Sequence, residues 1–539
     1  MRRFIVGIIG FLLAMILPMG QANACTNFLI TKKATKDGCT MITYSADSHE
    51  LYGELYFTPA MDHLPGTMVD VYEWDTGDYL GQIPQVPHTY SVVGNMNEHQ
   101  VTIGETTFGG RKELQKGNGV IDYGSLMYIT LQRAKTAREA IKVMTDLVSK
   151  YGYYSSGESF SIGDPNEVWL LEMISKGKDE MGAVWVARRV PDGYISGHAN
   201  QARITTFPLD DPDNCLYAPD LIEFARKNGW FQGEDKDFSF ADVYAPLDFG
   251  ALRFCEARVY AGFRKAAPSK DLPVEFVMGD ATAERLPLWI KPDKPLSVSD
   301  VMSMMRDHFE GTPMDMTKDV GAGPYCSPYR WRPLTWEVDS VRYFNERAIS
   351  TQQTGFSFVA QMRSWLPDPI GGVLWFGVDD TYMTVYVPMY CGIRKAPYHF
   401  AEGTGNFDEF SWESAFWVFN FVSNYTYSRH KDMVVEVQKV QRELEGHFLA
   451  MQPSVEDAAL ALYKQSPELA RDYLTTYSEK QANLTHNRWK KLGEYLIWKF
   501  LDGNYRDEHK RVKHPPYPES WYRTIIKNTG DKFKIPGQK

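Results

Sequence analysis

Metal-binding signatures are missing from this sequence. None of its six cysteines stands in a C-x-x-C pair and there is no H-E-x-x-H, so a structural zinc site or zinc protease centre has no support. Six cysteines in 539 residues are also too few for a dense disulfide framework. A basic excess is absent: 58 Lys and Arg stand against 68 Asp and Glu, a net charge of −10, which offers nucleic acid no electrostatic footprint. The acidic run Asp210-Asp211-Pro212-Asp213 lacks the glycine and distal glutamate of a calcium loop and reads as a solvated turn. No internal repeat and no low-complexity linker divides the chain. The apolar run at 4–17 is shorter than the ~20 residues a bilayer-spanning helix needs, so no stable membrane span is expected.

With 43% hydrophobic and 14% aromatic residues, the chain can bury a large core. Arg2 and Arg3, the apolar run and the small-residue site Ala22-Asn23-Ala24 follow the order of a secretory signal peptide. Cleavage after Ala24 would remove both arginines, take the net charge of −10 to −12, and send the protein to the periplasm or the medium of a bacterial cell. Cys25 would then be the first residue. An N-terminal cysteine carries a nucleophilic thiol and, in its α-amine of pKa about 7.7–8.0, a proton acceptor on the same residue. Two other readings compete: a small buried hydrophobe where the signal happens to end, or the lipidated anchor of a surface lipoprotein. Ala22, where a large aliphatic residue is expected, and the polar spacer Gly20-Gln21 weigh against the anchor. If Cys25 is a free nucleophile, Cys39, Cys215, Cys255, Cys326 and Cys391 are an odd set, leaving at least one more unpaired within the chain.

Residues 25–31 and 39–45 read as a hairpin around Asp37-Gly38. A turn centred near Lys36-Asp37 would bring 47–50, including Asp47 and His49, beside Cys25. Further strands are expected at 90–94, 100–107, 159–163, 167–173, 183–189 and 194–197, with one amphipathic helix over 125–152 ending at Gly152. A second strand-rich stretch covers 355–391 with a turn at Asp379-Asp380. Helices follow at 411–428, 430–450, 454–464, 466–478 and 479–502, then an irregular arm from Tyr505. Strands, helix and more strands indicate an α+β or α/β layered sandwich.

The segments "ACTNFLITKKATKDGCTMITYSADSH", "FTPA" at 57–60, "GNMNEHQVTIGETTFGG" at 94–110, "GHANQARI" at 197–204 and "ARVYAGFR" at 257–264 together resemble the cysteine dipeptidases of the dipeptidase A type, a family of N-terminal-nucleophile hydrolases. The resemblance implies an αββα sandwich with a helical C-terminal region. It also implies amide hydrolysis by Cys25 through a thioester, without metal or cofactor. Asp47 matches the family aspartate that holds the nucleophile's amine. Asn200 matches an asparagine suited to stabilising the oxyanion. Arg258 falls where related acylases place an arginine near the nucleophile, with Arg253 and Arg264 as neighbours of the same type. Many relatives carry an arginine three residues before the aspartate, where this chain has Tyr44, which leaves side-chain specificity untransferable. A Cys25–His49 dyad is the papain-type alternative, and His198 reads as a structural or substrate-lining histidine.

The expected organisation is a signal peptide at 1–24, a catalytic domain at 25–405, a helical region at 406–504 and an irregular tail at 505–539. The expected function is an exported dipeptidase acting on dipeptides or short peptides, and a homo-oligomer is compatible with it. An acylase of the same fold on N-acylated small molecules and a non-catalytic lipoprotein are the alternatives.

Overall fold

The computed structural model describes residues 25–538; the expected signal peptide lies outside the described residues. Ten strands carry the architecture: β1 (Asn27–Ile30), β2 (Thr40–Asp47), β3 (Thr102–Phe108), β4 (Gly157–Gly163), β5 (Val168–Ser175), β6 (Ala183–Arg189), β7 (Ile195–His198), β8 (Thr354–Met362), β9 (Val373–Val378) and β10 (Val387–Tyr390). They form two antiparallel sheets. One has seven strands, running from a short edge at Trp289–Ile290 through β7, β1, β2, β8 and β9 to β10. The other has eight, running from Cys215–Tyr217 through β6, β5, β4 and β3 to three short strands.

The sheets lie face to face, with β1 and β2 against β3, β4 and β5. Helices α1 (Tyr123–Leu131) and α2 (Ala137–Tyr151) cover the outside of the eight-stranded sheet. On the outside of the seven-stranded sheet, α3 (Ala257–Ala266) covers β7, while α4 (Ala415–Tyr427), α5 (His430–Tyr463) and α6 (Pro467–Lys499) cover β9 and β10. The order of layers is thus helix, sheet, sheet, helix. Strand β5 shows why its sequence reads as a continuous apolar run. Val168, Leu170 and Ile174 point between the sheets, and Trp169, Leu171 and Met173 point to the α1/α2 layer, so both faces are buried. The same inter-sheet core continues into α4, α5 and α6. These helices are therefore the fourth layer of the sandwich.

Several boundaries differ from the sequence reading. The single helix expected over 125–152 is two, because the Thr136 hydroxyl accepts from Glu139 N–H at 3.2 Å and starts α2 afresh. Conversely, α5 runs unbroken through Pro453, and α6 continues through Ser478, which faces inward and donates to Pro388 O at 2.9 Å. The tail is not irregular: Tyr505–Arg506 pairs with Val512–Lys513, and Glu519–Thr529 is helical.

The hairpin register also shifts. Leu29 faces Ile42 and Thr26 faces Ser45, so Ala46, not the 47–50 segment, falls opposite Cys25. Asp47 remains at the end of β2, and His49 moves out to the surface.

Candidate active site

Cys25 enters β1 at the end of the sandwich and is 5% exposed. Its position depends on two glycines where layers approach closely. A Cβ on Gly262 would lie 2.0 Å from Phe28 Cζ, so glycine lets α3 rest directly on β1. Arg258, four residues earlier on the same helical face, is thereby set over Cys25. A Cβ on Gly104 would lie 3.1 Å from Tyr44 Cβ, and its absence brings β3, with Glu105, against β2.

The Arg258 guanidinium donates to Cys25 O at 2.5 Å, Thr26 Oγ1 at 2.9 Å, Ala199 O at 3.1 Å and Asn200 Oδ1 at 2.9 Å. Burial lowers its pKa to about 10, with Arg347 adding to the effect. The two neighbouring arginines are engaged elsewhere: Arg253 with Glu346 and Arg264 with Glu310 O. A six-residue π-helix, Ala251–Glu256, leads into α3, a widened turn of the kind often found at functional sites.

Asn200 has left-handed backbone geometry, φ 62°, and its amide donates to Thr107 O at 2.6 Å. That bond fixes the direction of the second amide hydrogen, because the group is planar. Asp47 is more heavily committed than an amine clamp requires. Its carboxylate accepts from Arg347 at 2.6 Å, Thr354 Oγ1 at 2.7 Å and Ser45 Oγ at 3.2 Å. Arg347, buried and 300 positions away, had no local signal in the sequence.

Two further groups complete the surroundings of the thiol. Cys25 Sγ lies 3.7 Å from Glu105 Oε1 and 3.9 Å from Tyr44 OH, and the Tyr44 hydroxyl donates to Glu105 Oε1 at 2.5 Å. Glu105 faces Glu158, and burial raises both carboxyl pKa values; two adjacent acids of this kind share a proton rather than both ionise. The Cys25 thiol is itself pushed well up, first by burial and then by the Glu105 and Asp47 charges. The Arg258 guanidinium holds the Cys25 carbonyl, not its sulfur.

The thiol faces a cavity of about 280 Å³, lined on one side by Tyr44, Asp47 and Glu105 and on the other by Tyr56, Trp74, Asp75, Tyr123 and Tyr128. This is slightly below the roughly 300–1,000 Å³ of drug-sized ligand pockets and suits a small substrate. Trp74 stacks on Tyr128 with centroids 4.6 Å apart, and Tyr56 meets both edgewise. His49 lines the adjoining cleft and accepts from Arg332 Nε at 3.2 Å; it does not contact Cys25. His198 is fully buried between Thr106 Oγ1 and Ser161 Oγ, each at 2.7 Å, and burial lowers its pKa to about 3. It is a neutral structural histidine. Among the described residues, no group of three or more His, Cys, Asp or Glu is arranged to hold a metal ion.

The model of Peptidase family C69 matches residues 59–443, a span that includes Glu105, Asn200, Arg258 and Arg347. A probable dipeptidase of Latilactobacillus sakei is 24% identical over 491 residues, covering 86% of this chain and 95% of the relative. A probable dipeptidase of Salmonella dublin is 25% identical over 400 residues, covering 70% and 83%. Probable dipeptidase B of Streptococcus pyogenes serotype M1 is 21% identical over 519 residues, covering 92% and 97%. The match over most of its length, around a cavity that opens onto a buried cysteine, places this chain among the enzymes of peptidase family C69.

Proposed function

We propose that the protein is an exported dipeptidase whose nucleophile is Cys25, made N-terminal by removal of residues 1–24. The observation that carries this reading is that Arg258, itself bonded to Asn200, holds the main chain at Cys25 while the sulfur faces the cavity. A chain start that needs its own backbone fixed by a buried guanidinium suits a reaction in which that start does the chemistry. The arginine pair and apolar run at the beginning of the chain support export.

In the proposed reaction the Cys25 thiol transfers its proton to the α-amine as sulfur attacks the scissile carbonyl. The C–S bond forms, and the oxyanion is met by the Asn200 region. The α-ammonium then gives the proton to the departing nitrogen as the C–N bond breaks. Water, deprotonated by the amine, attacks the thioester and releases the acid and the thiol. The amine is needed because burial and two carboxylates hold the thiol protonated. In this reading Asp47, fixed by Arg347 and Thr354, orients that amine.

Intact-mass measurement of the exported protein, followed by iodoacetamide labelling and a Cys25→Ala variant, tests the reading. It requires an unmodified Cys25 at position one of the processed chain, loss of turnover on labelling, and no turnover by the variant. A diacylglyceryl adduct on Cys25, or a Cys25→Ala protein that still hydrolyses dipeptides, overturns it.

A further inference from the structure

We infer that Glu105, backed by Glu158 and Tyr44, is the acceptor for the free α-ammonium of the substrate residue whose carbonyl Cys25 attacks, and that it thereby selects unblocked peptides over N-acylated ones. This rests on the proposal that Cys25 is the nucleophile.

Covalent geometry makes the assignment specific. In an amino acid residue the α-nitrogen lies about 2.5 Å from the carbonyl carbon. A carbonyl poised for attack sits about 3–3.5 Å from the nucleophile. A carboxylate that binds the α-ammonium of that same residue must therefore stand close to the sulfur itself. Glu105 Oε1 is 3.7 Å from Cys25 Sγ and lines the same cavity. A group serving the terminus of a longer peptide, or a distal side chain, would stand one or more residues farther away.

The site is also incomplete without a donor. Glu105 is 2% exposed and Glu158 1%. Tyr44 supplies one hydrogen bond, to Glu105 Oε1. Apart from the proton the pair shares and the Thr107 hydroxyl beside Glu158, Glu105 Oε2 and both oxygens of Glu158 meet no donor among the described residues. Two facing carboxyls can share one proton, which leaves buried acceptor capacity unused. A primary ammonium brings three donors and one positive charge to a pair that holds one negative charge. Asp75 lines the same cavity and accepts from Tyr123 OH at 2.8 Å. The rings of Trp74, Tyr56 and Tyr128 line it too. No lysine or arginine side chain lines this cavity.

The placement has a consequence for the reaction. The Glu105 charge opposes ionisation of the thiol 3.7 Å away. An ammonium seated on Glu105 cancels that charge, so substrate binding itself eases formation of the thiolate. An N-acyl or desamino substrate of the same size brings no such charge.

The test compares L-Ala-L-Ala with propionyl-L-Ala, which lacks only the ammonium, and with N-acetyl-L-Ala-L-Ala, on the processed enzyme. The wild type should favour the free dipeptide over the desamino compound by about 10- to 100-fold in kcat/KM, the strength of a charge-assisted bond. Glu105→Gln should shrink that ratio at least about 5-fold, with part of the loss in kcat. Asp75→Asn, which acts on the buried pair through its charge, should shrink it only about 2-fold. Melting temperature and stoichiometric labelling of Cys25 report that each variant is folded. A wild-type ratio near one overturns the inference whatever the variants do. An equal loss on both substrates in folded Glu105→Gln also overturns it, because Glu105 would then serve Cys25 and not the substrate. If instead Cys25→Ala retains turnover, it is the proposed function that fails.

Discussion

Replacing Asp47 with Asn separates an amine clamp from a structural keystone. The Asp47 side chain is fully buried, and that of Arg347, 2.6 Å away, is 2% exposed. Neutralising the carboxylate leaves a guanidinium in the interior facing an amide, and breaking a buried pair in this way costs about 3–5 kcal/mol. The Thr354 and Ser45 hydrogen bonds can be kept by the amide oxygen at one position only, so the cost should sit towards the upper end. Arg347→Met should be similarly harmful alone, since it strands the carboxylate. The double variant, with an uncharged pair of similar volume, should recover much of the loss, giving a coupling energy of at least about 2 kcal/mol. Urea unfolding of the four proteins at neutral pH measures this cycle, and turnover is read on the same samples. An Asp47→Asn protein within about 1 kcal/mol of the parent would refute the structural role and leave Asp47 with the amine alone.

Asp379, between β9 and β10, is held by Ser423 and Asn420, and burial with help from Asp380 raises its pKa to about 7. The folded state then keeps a proton that the unfolded chain releases near pH 4, so stability should fall as pH rises to about 7 and level off above it, by about 2 kcal/mol between pH 5 and pH 7. Asp379→Asn should flatten that slope in thermal melts; an unchanged slope contradicts the assignment. Gly262→Ala should cost about 1–3 kcal/mol through contact with Phe28 and lower turnover by lifting Arg258, with Phe28→Leu restoring part of both; full activity and stability in the single variant would show that α3 does not need the close approach. Treatment with EDTA should leave turnover unchanged, whereas a loss reversed by zinc would expose a metal requirement.

The sandwich was legible because its strands and amphipathic helices announce themselves by period. Strand β5 alternates cleanly between two cores, and Gly152 ends α2 where the pattern stops. What stayed hidden depended on contacts distant in sequence. The helices expected at 466–478 and 479–502 are one, and the bond that buries Ser478 at their junction, to Pro388 O, lies 90 positions away. The hairpin register was misjudged by a few residues, enough to bring His49 beside Cys25 on paper when it belongs to the surface. Cys25, Asp47, Asn200 and Arg258 could be named from motifs. Arg347, which fixes Asp47, and Glu158 could not, since an arginine or glutamate in an ordinary stretch carries no mark of its buried partner, and Glu105, though inside the 94–110 segment, carried no mark of its pairing either. Tyr44 was noticed only as a departure; its hydrogen bond to Glu105 gives that departure a physical meaning.

The central claim is that Cys25 acts through its own amine. Comparing the processed protein with a homogeneous form that retains Ala24, both verified by intact mass, tests it most directly. The extension keeps the thiol, Arg258 and Asn200 but turns the amine into an amide that takes up no proton at physiological pH. The account predicts a loss of about 10²- to 10⁴-fold in turnover of the extended form. Equal turnover of the two forms would contradict it.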